Sequence, residues 1–121
     1  INALKKMGSK AKQAVKEKRS MMIFPQGTRV NPGVTTKEKP YLPGVFFLYS
    51  QTKVCVIPVA HNAGLLWPKN SFIKYPNRLK SKSITIKILP EIQPGLSKIE
   101  FLQKLETIIE DSSNELIKLE S

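Results

Sequence analysis

The 121 residues, 40% hydrophobic and 24% charged, have globular composition and enough length for one domain with one core. No apolar run approaches the roughly 20 residues needed to span a bilayer, and a single cysteine, Cys55, excludes an intrachain disulfide. The formal charge of +11 is unevenly spread: before Glu91 the only carboxylates are Glu17 and Glu38, so the long basic part attracts phosphates, anionic membranes, acidic carrier proteins or nucleic acid.

Residues 1–19 place Ile1, Leu4, Met7, Ala11, Ala14 and Val15 near the helical period, with lysines between them. This predicts an amphipathic basic helix, interrupted at Gly8, whose charged face is solvated while the other face packs on a sheet. Residues 21–24 read as a short buried strand. The chain opens on Ile1, inside a helix with no strand before it, which is the pattern expected of a piece of a longer polypeptide.

Next comes Phe24-Pro25-Gln26-Gly27-Thr28-Arg29. Pro25 lacks a backbone donor and ends the strand. Gly27 allows a tight turn or a close approach of the backbone to a ligand. Thr28 brings a hydroxyl, and the Arg29 guanidinium matches a phosphate bidentately. Such a loop at a strand end is where open α/β sheets bind ligands. An ordinary turn carrying a solvated arginine is the plainer reading of the same residues.

Residues 31–43 form a long proline-containing loop, and residues 44–50, apolar nearly all round, a short buried helix behind Pro43. Residues 53–60 are a β-branched run of the kind found in parallel strands covered on both faces, with Cys55 buried in it and Pro58 marking an irregularity. The loop after it holds His61, the only histidine. Trp67 stands beside Lys69 and Lys74, as interfacial anchors often do, or else packs on its own domain. Ile84, Ile86 and Ile88 alternate with Thr85 and Lys87 in a strand with one wet face. Residues 98–119 make a helix with a capping box at Ser97 and Glu100, a staple between Leu96 and Phe101, and a stripe through Phe101, Leu102, Leu105, Ile108, Ile109, Leu116 and Leu119. The order predicts an α/β fold: a mostly parallel sheet flanked by helices and incomplete at its N-terminal side.

The hexapeptide resembles the Phe-Pro-Glu-Gly-Thr-Arg block of the glycerolipid acyltransferases. Pro32-Gly33, then Tyr41-Leu42-Pro43-Gly44-Val45, is similar to the loop and helix that follow that block. Val56-Ile57-Pro58-Val59-Ala60 resembles the family's proline-centred fourth block. Asn62-x-Gly64-x-x-Trp67-Pro68 and Leu89-Pro90-x-Ile92-x-Pro94-Gly95-Leu96 resemble the tail of the bacterial 1-acyl-sn-glycerol-3-phosphate acyltransferases. The resemblance implies that residues 1–121 are the C-terminal part of a single acyltransferase domain. It implies transfer of a fatty acyl group from an acyl carrier protein or coenzyme A thioester to the 2-hydroxyl of lysophosphatidic acid, giving phosphatidic acid. Arg29, Thr28 and Gly27 would hold the substrate phosphate, within a motif completed by Phe24, Pro25 and Gln26. The expected setting is the cytoplasmic face of a membrane, attached peripherally or monotopically, with no cofactor and no metal.

Two departures qualify this. The family's base is a His oriented by an Asp in a His-x-x-x-x-Asp block, and here the fifth residue after His61 is Leu66. The catalytic pair is therefore not in this chain, which alone is expected to be inactive, and His61 reads as a loop or pocket-lining residue. Gln26 replaces the usual Glu, which sets aside any acid role at that position. A lysolipid acyltransferase for another headgroup is the nearest alternative. A basic nucleic-acid-binding module is the more distant one, disfavoured because no zinc spacing, RNA-binding aromatic motif or clear helix-turn-helix appears.

Overall fold

A computed structural model describes residues 2–81 and 83–120. Helix α1 (Asn2–Lys16) is built from good helix formers and runs straight through Gly8. Gly8 does not break it; it lies at the crossing with α2 (Pro43–Thr52), where an added Cβ would stand 2.9 Å from the Phe47 ring. The face of α1 that carries Gly8, Ala11 and Ala14 packs on this second helix rather than on a sheet. Ile1, counted in the apolar stripe, lies outside the described residues. α1 ends on a Schellman motif: Lys18 is left-handed, Arg19 N–H donates to Ala14 C=O at 2.8 Å, and Lys18 N–H donates to Val15 C=O.

Pro43 opens α2 as its first residue, and Lys53, also left-handed, closes it. Buried Val45, Leu48 and Tyr49 face inward between α1 and α4 (Lys98–Leu119). The main core joins Val45 and Tyr49 to Ile92, Phe101 and Leu105. The Tyr49 and Phe101 rings stack at 3.9 Å, and the Tyr49 hydroxyl donates to Gln93 C=O and accepts from Leu96 N–H. Helix α4 starts as expected, with the Ser97 hydroxyl accepting from Glu100 N–H and Leu96 packed on the Phe101 cluster. Its stripe is broken by buried Ser112, and Leu119 is exposed.

The sheet departs from expectation. It is one antiparallel pair, β1 (Val59–His61) with β2 (Ile86–Ile88), in the register Val59↔Ile88, Ala60↔Lys87 and His61↔Ile86. A separate bridge pairs Val56 with Ile92. One more residue separates Ile88 from Ile92 than separates Val56 from Val59, so the ladder carries a bulge opposite Pro58, which has no donor of its own. The mixed α/β character holds, but no parallel sheet forms among the described residues. A β-branched run carries no sign of its partner's direction, and the length of run that implied coverage on both faces is covered here on one.

That covered face holds Ala60 and Leu89 against Leu116 of α4. Lys87 on the same side reaches Glu115. The isoleucine side is the open one: Ile88 is 74% exposed, and Ile57, Val59, Ile84 and Ile86 are exposed with it. Residues 21–24 are exposed too and form no strand; no ladder partner reaches them among the described residues. Cys55, expected inside, is exposed, where a hydrogen bond to the Glu91 carboxylate pushes its thiol pKa up.

Candidate functional site

The hexapeptide at residues 24–29 is a turn. Gly27 N–H donates to Phe24 C=O at 2.9 Å, and Gly27 holds φ at +71°. A Cβ at that glycine would meet Leu42 Cδ1 at 2.5 Å, a methyl at the end of an exposed side chain, so it is the backbone angle that calls for glycine. Leu42 N–H donates to Pro25 C=O at 2.8 Å, and Gln26 Nε2 donates to Lys39 C=O at 2.7 Å. An ionised Glu at position 26 could not make that last bond, because it has no hydrogen to give. The residue that departs from the resemblance thus has a donor's task, anchoring the turn to the loop before α2. The far side of that loop is held by α4, through Thr36 N–H to Glu110. Tyr41, beside it, has its pKa raised by burial and then by Glu106 and Glu110.

Thr28 and Arg29 point away from this anchor and are exposed. The Arg29 guanidinium lies 4.9 Å from the centre of the Trp67 ring, and Lys74 Nζ lies 5.1 Å from the same centre. Two cations therefore converge on one indole, within about 10 Å of each other. Among the described residues neither pairs with a carboxylate. Like charges gathered without a counterion favour an anion between or beside them. A second block, residues 61–75, is fastened to the first, residues 24–33, elsewhere too: Lys69 N–H donates to Asn31 Oδ1 at 3.3 Å, and Gly64 lies close under Pro32. Two stretches almost forty residues apart in sequence so form one surface.

His61 lies at the start of the second block, exposed, with Nδ1 accepting from Ala63 N–H at 3.2 Å. It shapes the turn into the short helix α3 (Ala63–Leu66). Asn62 was missed as a structural residue: it is buried, its Oδ1 accepts from Thr85 N–H at 2.9 Å, and it extends the β1–β2 pairing by one step. The sequence signals for this were a polar residue two positions after an apolar run and its place at the head of the Asn62-x-Gly64 stretch. On the other side of the hexapeptide an apolar cleft of about 410 Å³ opens between α1, Phe24, Pro25 and the first turn of α2. A larger groove of about 580 Å³ along α4 shares no residue with the hexapeptide.

A sequence model of the acyltransferase family matches residues 2–62, half of the chain, including the whole hexapeptide, and the chain belongs to that family. Within it, the chain is similar to the 1-acyl-sn-glycerol-3-phosphate acyltransferase of Pseudomonas aeruginosa, 35% identical over 78 residues that make up 64% of this chain and 29% of that protein. This chain thus aligns with less than a third of that relative's length. No solved structure matches it. No helix among the described residues is long and apolar enough to cross a membrane.

Proposed function

We propose that residues 1–121 are the C-terminal part of an acyltransferase domain whose full-length protein acylates the 2-hydroxyl of 1-acyl-sn-glycerol-3-phosphate. The donor is an acyl thioester of acyl carrier protein or coenzyme A, and the reaction runs at the cytoplasmic face of a membrane. The hydroxyl oxygen attacks the thioester carbonyl, its proton passes to a base, and the thiol leaves carrying a proton in exchange. The base, a His oriented by an Asp, belongs to a block outside these residues. The part assigned to this chain is binding: Arg29, with Thr28 and the Gly27 amide, receives the phosphate and so fixes the glycerol hydroxyl in reach of that base.

The observation that carries this reading is the convergence of Arg29 and Lys74 on Trp67 without a carboxylate. Neighbouring features support it. The apolar cleft that begins at Phe24 has a volume within the range of small-molecule sites, and its lining suits an acyl chain. The open isoleucine face of the sheet and exposed residues 21–24 are surfaces that the remainder of a larger domain would cover.

Arg29→Lys in the full-length enzyme tests the phosphate assignment. Lysine keeps the charge but loses the bidentate fork and the guanidinium's contact with the Trp67 ring. The expected result is a KM for the lysophospholipid raised about tenfold with kcat little changed. An unchanged KM would reduce Arg29 to a structural role. Residues 1–121 alone are expected to show no acyl transfer, and turnover by that piece would overturn the assignment of the base to another block.

A further inference from the structure

We infer that the loop at residues 67–75 is a membrane-inserting finger, which seats Phe72 and Ile73 in the acyl boundary of an anionic bilayer. The inference rests on the membrane part of the reading above; it shares Trp67 and Lys74 with that reading and adds Phe72 and Ile73. Phe72 is 99% exposed and Ile73 64%, next to half-exposed Trp67. A lone exposed apolar side chain is commonplace. Two at one loop tip, beside a tryptophan, form a patch that water solvates poorly.

The tip is held out by structure. Tyr75 N–H donates to Leu66 C=O at 2.7 Å and closes the loop at its base. Trp67 Nε1 donates to Ser71 C=O across it, Ile73 N–H donates to the Ser71 hydroxyl, and that hydroxyl donates to Ile73 C=O. Asn70, at φ +60°, makes the reversal. A loop ordered in this way loses little entropy when its tip is buried in a partner.

Charge selects the partner. From Glu38 to Glu91 the sequence holds no carboxylate, while Lys69 and Lys74 flank the tip and Arg78 stacks on Tyr75 at its base. Apolar tip, indole and flanking lysines is the arrangement that satisfies a bilayer interface, with acyl chains below and phosphates level with the cations. Arg29 shares the indole, so a lipid headgroup phosphate at the interface would lie at the depth of the proposed substrate site.

The test uses the full-length protein and vesicles of phosphatidylglycerol or of phosphatidylcholine. With every cysteine of the full-length protein replaced by serine, Cys55 among them, Phe72→Cys carries an environment-sensitive fluorophore. The expected result is a blue shift with phosphatidylglycerol vesicles, quenching by spin labels on the acyl chains, and loss of the shift in high salt. In parallel, Phe72→Ser with Ile73→Ser is expected to weaken partitioning onto those vesicles about tenfold while leaving turnover of detergent-dispersed substrate unchanged. A fluorophore that neither shifts nor is quenched overturns the inference, as does one that responds to duplex DNA or to acyl carrier protein but not to lipid. Vesicle insertion by a protein without acyltransferase activity would sink the catalytic reading and leave this one standing.

Discussion

Two regions of this chain differ in how they hold themselves. Beneath α4, Phe101, Leu105 and Leu116 are inside and polar groups are paired: Phe101 under Tyr49, Ser97 on Glu100, Leu89 and Ala60 under Leu116. Around residues 21–29 and 67–75 the large apolar side chains are outside, and two cations share an indole with no carboxylate paired to them among the described residues. The first region minimises its own free energy. The second leaves favourable contacts unmade, which is the usual physical condition of a surface that meets something else.

Phe101→Ala attacks the contrast hardest. It removes the ring stacked on Tyr49 and leaves a cavity between α2 and α4, so a loss of about 3–5 kcal/mol in denaturant unfolding is expected. A loss below about 1 kcal/mol would mean that the core centre lies elsewhere. Tyr49→Phe keeps the stack but strips Gln93 C=O and Leu96 N–H of their partner, and about 1–3 kcal/mol is expected in the same measurement. Gly27→Ala probes the other region. Its left-handed backbone and the nearby Leu42 side chain should cost about 1–2 kcal/mol, while the KM for lysophospholipid rises because Thr28 and Arg29 are re-aimed. A KM unmoved by a turn that is measurably strained would separate the hexapeptide from substrate binding.

The closed region was the legible one in the sequence. Helix α4 lies where its period and capping box put it, because those signals are local and independent of the rest of the chain. Helix α2 began where Pro43 said it would. Strand direction was not legible, since pairing depends on residues far away and the same apolar run serves either sense. The left-handed caps at Lys18 and Lys53 carry no glycine to announce them. Alternation at Ile84, Ile86 and Ile88 identified a strand but not its faces: the isoleucines point to the open side and Lys87 toward α4, the reverse of the usual inference. The hexapeptide was legible as a glycine turn that ends in an arginine. The meeting of Arg29 with Trp67 was not, because it joins two loops across nearly forty residues.

That meeting makes the molecule its own instrument. Trp67 is the sole tryptophan among these 121 residues, so all indole emission from this stretch comes from one ring with a guanidinium and an ammonium against it. The excited indole is strongly dipolar and its colour follows nearby charge. An anion that draws Arg29 off the ring would alter the emission of residues 1–121 without any label, so titration of inorganic phosphate or a lysophospholipid could be followed optically in a stretch that carries out no chemical step.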